Sequence, residues 1–145
     1  VLFDADADAD ADAAWLVDLG DACAASACGP PGAGPALDPG RLIYMAPEQT
    51  GRVEHVVDAR SDLYALGVLL YELLCGVPPF VADDALELIH RHIAATPAEP
   101  CVRDAGIPQP LSAMIMRLLA KAPDERYQTA RGLAEYLRHC AREWS

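Results

Sequence analysis

The spacing of hydrophobic residues changes near position 60. From Asp62 onward, Leu63, Leu66, Leu70 and Leu73 recur at three- and four-residue steps, and Val68, Leu69 and Leu74 widen the apolar surface almost all the way round. That period and breadth predict a central, largely buried helix. Ser61 is placed to cap its start, and Gly76 followed by Pro78 and Pro79 to end it. A second helix is expected from about Asp84 to Ile93, with Leu86, Ile89 and Ile93 facing inward. After a Pro-rich connection, Leu111, Met114, Ile115, Leu118 and Leu119 mark a third helix, and Leu133, Tyr136, Leu137 and Cys140 a fourth, each set falling on one stripe. The expected fold class is mainly α, with a helical subdomain over 61–140.

Before position 60 the pattern is different. Val1 to Phe3 and Trp15 to Val17 are short apolar runs separated by Asp4, Asp6, Asp8, Asp10 and Asp12 alternating with alanine. Period two suggests a strand, yet alanine and aspartate have poor strand propensity and the like charges would line one face. Residues 4–13 are therefore expected to form an exposed acidic loop between two short strands. The run lacks the glycine and the terminal glutamate of a twelve-residue calcium loop. Between 26 and 40, Gly29, Pro30, Pro31, Gly32, Gly34, Pro35, Pro39 and Gly40 stop any regular element from propagating.

A length of 145 residues fits one domain with one core. The apolar fraction, 52%, is high, but no charge-free apolar run is long enough to cross a bilayer, so membrane insertion is not expected. No Lys or Arg precedes Arg41, which removes the basic segment a secretory signal needs and leaves a cytoplasmic location as the expectation. The cysteines at 23, 28, 75, 101 and 140 show no paired metal-ligand spacing and read as buried or free thiols. The net charge of −11, with eight acids and no base in the first forty residues, argues against nucleic acid as a partner. His90 and His92 would fall on different faces of a helix, and all four histidines, with His55 and His139, read as surface residues.

Three separated motifs, VDLG at 17–20, IYMAPEQ at 43–49 and SDLYALG at 61–67, stand in chain order, with GVPPF at 76–80 and KAPDERYQTA at 121–130 after them. They resemble the magnesium-binding segment, the end of the activation segment, the start of the central helix, the loop after it and the arginine-bearing stretch before the last helix of protein kinases. The resemblance covers nearly the whole chain. The stretch EQTGRVEHVVDARSDLYALG is most similar to bacterial serine/threonine kinases at the head of larger signalling polypeptides with ATPase, sensor and histidine-kinase modules. It implies a kinase-like C-terminal lobe with a short β-hairpin and an activation segment, 18–48, at its N-terminal end. Residues 1–145 would be a partial kinase domain starting just after the catalytic loop.

Carried onto this sequence, the resemblance makes Asp18 the metal ligand, with Leu19 in place of the usual phenylalanine and Gly20 as a hinge. Gly40, Arg41, Leu42, Ile43 and Tyr44 would shape the substrate groove, and Ala46, Pro47 and Glu48 would close the activation segment. Arg41 stands where threonine is usual; its guanidinium cannot accept the bonds a hydroxyl makes to the catalytic loop. Asp62 matches a central-helix aspartate that receives catalytic-loop N–H groups, and Arg126 matches the ion-pair partner of Glu48.

Phosphoryl transfer also needs a phosphate-binding lysine, a second metal ligand and a catalytic aspartate; of the set, these residues supply Asp18 alone, so there is no catalytic residue to name. Mg2+ and ATP are expected in a complete domain and neither is expected to bind this chain tightly. A protein substrate or regulatory protein, and further domains of a longer polypeptide, are the expected partners. The expected function is a partial serine/threonine kinase domain, inactive alone. The alternative is a non-catalytic helical module that uses the same lobe as a protein-binding surface.

Overall fold

The computed structural model describes residues 2–3, 14–15 and 39–143. The acidic loop at 4–13, Asp18, Leu19, Gly20 and the Gly/Pro stretch up to residue 38 lie outside the described residues.

Strands β1 (Leu2–Phe3) and β2 (Ala14–Trp15) pair antiparallel, Leu2 opposite Trp15 and Phe3 opposite Ala14. A short helix α1 (Pro39–Leu42) and a 3-10 turn at Pro47–Thr50 lead into the central helix α2 (Ala59–Cys75). Then follow α3 (Ala85–Ala94), a short α4 (Pro100–Arg103), α5 (Gln109–Leu118), a 3-10 turn at Pro123–Glu125, and α6 (Ala130–Glu143). The architecture is mainly helical.

Helix α2 starts earlier than the sequence pattern suggests. Asp58, not Ser61, is its N-cap, accepting from the Arg60 N–H. Ser61 sits buried inside the first turn because its hydroxyl is used elsewhere, donating to the Glu48 carboxylate. At the other end Gly76 takes φ +72° and its N–H returns to the Glu72 carbonyl at 2.8 Å, the left-handed stop that glycine adopts without steric cost. Asp84 caps α3 through the N–H groups of Leu86 and Glu87.

The main core lies between α2 and α5. Leu63, Tyr64, Val68 and Tyr71 pack on Met114, Ile115, Leu118 and Leu119, with Ala46 on one side and Leu133 of α6 on another. The two helices meet closely at Gly67, where a Cβ would stand 2.7 Å from Leu118 Cβ. A second cluster holds Leu42, Phe80, Leu88 and Ile89, and Ile43 packs against both. Tyr71 buries its ring and donates its hydroxyl to the Ala98 carbonyl, which secures the Pro-rich connection without leaving the phenol unpaired.

Three expectations about inward faces need correction. Leu73 and Leu74, at the end of α2, are exposed, since the helix outruns the partners that cover its middle. On α3 the buried residues are Leu88, Ile89 and His92, while Leu86 is 57% exposed and Ile93 half-buried; the buried stripe is rotated by about one residue position from the one expected. On α6, Leu133 and Cys140 are buried but Leu137 is exposed.

The Gly67 contact leads to a test. Alanine normally improves a helix interior by about 1 kcal/mol over glycine. Here the methyl group must displace Leu118, and overpacking of that kind costs about 1–3 kcal/mol or more. Gly67→Ala is expected to lower the urea-unfolding free energy; a gain in stability would show that α2 and α5 are not held at this distance.

Candidate functional site

The segment from Gly40 to Glu48 crosses the helical lobe and is fixed to it at several points. Leu42 is buried in the second cluster against Phe80 and α3, and the turn that follows closes through Tyr44 N–H to Arg41 O and Met45 N–H to Leu42 O. Tyr44 donates its hydroxyl to Glu72 Oε2 of α2 at 2.6 Å. That bond, helped by partial burial and the carboxylate's charge, pushes the Tyr44 phenol up from its ordinary value. Ala46 is buried, and its N–H donates to the Gln49 side chain at 2.9 Å. Pro47 enforces the extended entry to the 3-10 turn, which Gly51 ends at φ +68°.

Glu48 anchors the far end of the segment. Its carboxylate receives Arg126 Nη1 on Oε1 at 2.7 Å and Arg126 Nη2 on Oε2 at 2.9 Å, a bidentate pair between side chains that are both fully buried. Ser61 Oγ adds a third bond to Oε1 at 2.7 Å. Burial alone would push the Glu48 carboxyl up; the bonds from Arg126 and Ser61 outweigh it and hold the group below the usual carboxylate value. On the other side, Arg126 Nε donates to Ala120 O, Nη1 also to Arg60 O and Nη2 also to Lys121 O. All five guanidinium donors are therefore engaged. The plane also lies 4.9 Å from the Tyr64 ring centroid.

Beside this hub lies a second buried polar group that the sequence reading placed on the surface. His92 is 1% exposed, and its Nδ1 is 2.8 Å from the Tyr64 hydroxyl. Its ring meets Phe80 edge-on at 5.0 Å between centroids. Burial, with the nearby Lys121 charge, drives the imidazole down to about 4, against a smaller opposing effect from the Ile43 backbone. Lys121, the only lysine in the chain, donates to the His92 carbonyl at 2.8 Å and lies 4.4 Å from the Phe80 ring centroid. Burial and the Arg126 charge push its ammonium down to about 8.

The remaining site residues stand apart. Arg41 is exposed on α1, and Asp62 faces solvent on the first turn of α2, as a carboxylate does when no buried donor meets it. Asp18 lies outside the described residues. Among the described residues no group of three or more His, Cys, Asp or Glu is placed to hold a metal ion. The lone lysine is committed to main-chain carbonyls, so the described residues do not fit a magnesium–nucleotide site. An open groove of about 470 Å³ runs along the outer side of α3 between Arg52 and His90, and none of the site residues line it.

Sequence reasoning missed Glu72, Tyr64 and His92. A signal existed for each: Glu72 interrupts an apolar run, Tyr64 follows Leu63 on the broad face of α2, and His92 falls three and four residues after Ile89 and Leu88.

The geometry defines a kinase-type lobe, and comparison with known proteins agrees. A family model for the protein kinase domain matches residues 2–139, and the chain belongs to that family. It is 48% identical over 94 residues to hybrid signal transduction histidine kinase G of Dictyostelium discoideum, covering 65% of this chain and 3% of that protein. Over 91 residues it is 46% identical to serine/threonine-protein kinase PknB of Mycolicibacterium smegmatis and 43% identical to PknB of Mycobacterium tuberculosis, in each case 63% of this chain and 14% of the relative. The chain is thus part of a protein kinase domain, and it spans only a small fraction of these relatives' length.

The buried histidine gives a pH test. Between pH 6.5 and about 4 the unfolded chain binds a proton at His92 that the folded chain does not, so stability is full above 6.5 and falls as the pH drops through that window. Going from pH 7 to 4.5, His92→Gln is expected to lose about 2–3 kcal/mol less unfolding free energy than the parent chain. Any acid loss from Glu48 is common to both. Parallel curves would mean that His92 titrates normally in the fold.

Proposed function

We propose that this chain is the substrate-receiving part of a kinase domain whose complete form transfers the γ-phosphate of ATP to serine or threonine of a protein. The observation that carries the reading is the Gly40–Glu48 segment. It is held against the lobe by the buried Glu48–Arg126 pair, the Tyr44–Glu72 bond and the Leu42 cluster. Recognition of an extended peptide needs a rim that does not move when the peptide arrives, and these fastenings provide one. In this reading Gly40 to Tyr44 meet the residues beside the phosphoacceptor, and Ala46, Pro47 and Glu48 form the anchor. Asp18 supplies the magnesium ligand, and Asp62 and Arg126 support the catalytic loop and the anchor respectively. Residues 1–145 form one partial domain, working in the cytoplasm beside further domains of a longer signalling polypeptide. The similarity to a much longer hybrid histidine kinase supports that last point. No helix among the described residues is long and apolar enough to cross a membrane.

Isolated, these residues do not catalyse, because they supply neither the phosphate-binding lysine nor the aspartate that orients the hydroxyl. Arg41 favours a second reading, a non-catalytic binding lobe, since an exposed guanidinium stands where a hydroxyl acceptor is usual.

Phosphate transfer separates the two. The purified chain is expected to move no radiolabelled phosphate from magnesium-ATP to a mixture of Ser/Thr peptides. The same residues joined to their upstream lobe and catalytic loop are expected to do so, and Asp18→Ala in that complete domain to cut the rate by at least about a hundredfold. Transfer by the isolated chain that Asp18→Ala abolishes would overturn the claim of inactivity. No transfer by the complete domain would leave the binding lobe as the function.

A further inference from the structure

Helix α3 ends without the device that stops α2. Its last residue, Ala94, is followed by Ala95 in extended conformation, where α2 has the left-handed Gly76. The last carbonyls of a helix have no partner inside it, and the negative end of the helix dipole lies there. Neither basic residue of the last turn of α3 supplies the matching charge. Arg91 is turned back to Glu87, with Nη2 2.6 Å from Oε1, and His92 is buried and neutral. The charge comes instead from 29 residues further along the chain. Lys121, between α5 and the 3-10 turn at Pro123–Glu125, donates through Nζ to the His92 carbonyl at 2.8 Å and to the Arg91 carbonyl at 3.4 Å. Its ammonium lies 4.4 Å from the Phe80 ring centroid, and its own carbonyl accepts from Arg126 Nη2 at 3.1 Å. Burial and the Arg126 charge push the ammonium down only to about 8, so it keeps its proton at neutral pH.

These contacts place one residue between the two fastenings of the Gly40–Glu48 segment. At one end Arg126 grips Glu48; at the other, Leu42 is buried with Phe80 and with Leu88 and Ile89 of α3. Lys121 meets Arg126 with its main chain, and Phe80 and the end of α3 with its side chain. We propose that Lys121 is a positioning residue for the segment: its ammonium clamps the end of α3 and Phe80, and so seats the floor under Leu42, while its carbonyl ties that floor to the Glu48–Arg126 pair. A neutral side chain of the same length would fill the space and leave both carbonyls and the ring without the charge. Nothing in this arrangement touches a nucleotide or a reacting atom, so its effect is on the shape of the groove. The role of the segment in substrate binding rests on the function proposed above; the clamp itself does not.

Two substitutions separate charge from bulk. Lys121→Met keeps the apolar stem and loses the charge and the donors, whereas Lys121→Arg keeps all three. In the chain itself, amide hydrogen exchange in Lys121→Met is expected to speed up about tenfold at Ile93, Ala94 and Ala95 and about fivefold at Tyr44 and Met45, relative to the α5 amides. In Lys121→Arg the change at all five should stay under about twofold. No change at the end of α3 in Lys121→Met, a change there that does not reach Tyr44 and Met45, equal acceleration across the chain, or failure of Lys121→Arg to keep exchange slow would each overturn the proposal. In the complete kinase domain, Lys121→Met should raise the KM for a peptide substrate about fivefold and leave the KM for ATP unchanged, with Lys121→Arg restoring it; an unchanged peptide KM in an active domain would also overturn it. If the wild-type complete domain transfers no phosphate, the functional reading of the segment fails, and the exchange experiment still decides whether Lys121 positions it.

Discussion

The lobe is organised around one buried bidentate contact, between the carboxylate of Glu48 and the guanidinium of Arg126. Placing two charges where both side chains are fully covered costs several kcal/mol per ion, and the cost is offset only if every donor and lone pair finds a partner. Here that condition is met. The remaining Arg126 donors take the carbonyls of Arg60, Ala120 and Lys121, and Ser61 adds a bond to Glu48. One side chain thus joins the end of the Gly40–Glu48 segment, the first turn of α2 and the chain leaving α5. A lysine would bring the charge but neither the fork nor the number of donors. Around this point the contacts of half-buried Arg60 to Asp58, Asp124 and Gln128 add local order to the same junction, although ion pairs partly open to water contribute little energy.

Much of this was legible in the sequence, for identifiable reasons. The four longer helices follow from apolar spacing, and the C-terminal stop of α2 from Gly76 and the prolines after it. The Glu48–Arg126 partnership came from the order of the kinase-like motifs, because no local rule joins residues so far apart in sequence. What was not legible depended on contacts between elements. Ser61 has the chemistry of a cap, but its hydroxyl serves Glu48, and Asp58 is free to cap instead. Leu86 and Leu137 continue an apolar stripe but are exposed. His92 looked like a surface histidine because a single polar residue on a helix gives no sign of what packs over it. The structure surrounds it with Tyr64 and Phe80, and burial then removes its charge.

These features divide the work of the domain in a way that bears on evolution and engineering. Rigidity of the Gly40–Glu48 segment is generated entirely within the helical lobe, by Glu48, Tyr44, Leu42 and their partners. The chemistry of phosphate transfer is supplied from elsewhere in a complete kinase domain. The chain spans a few per cent of one relative and about a seventh of another, with identity above 40% over the residues matched.

The central claim is that the buried pair, and not the apolar clusters alone, holds the segment to the lobe. A double-mutant cycle on Glu48→Ala and Arg126→Ala, followed by urea unfolding at neutral pH, measures it directly. Each single change should cost about 3–5 kcal/mol, since the survivor keeps its desolvation penalty without its counter-charge. The double change should cost less than the sum, with a coupling energy of at least about 2 kcal/mol. A coupling within error of zero would contradict the account.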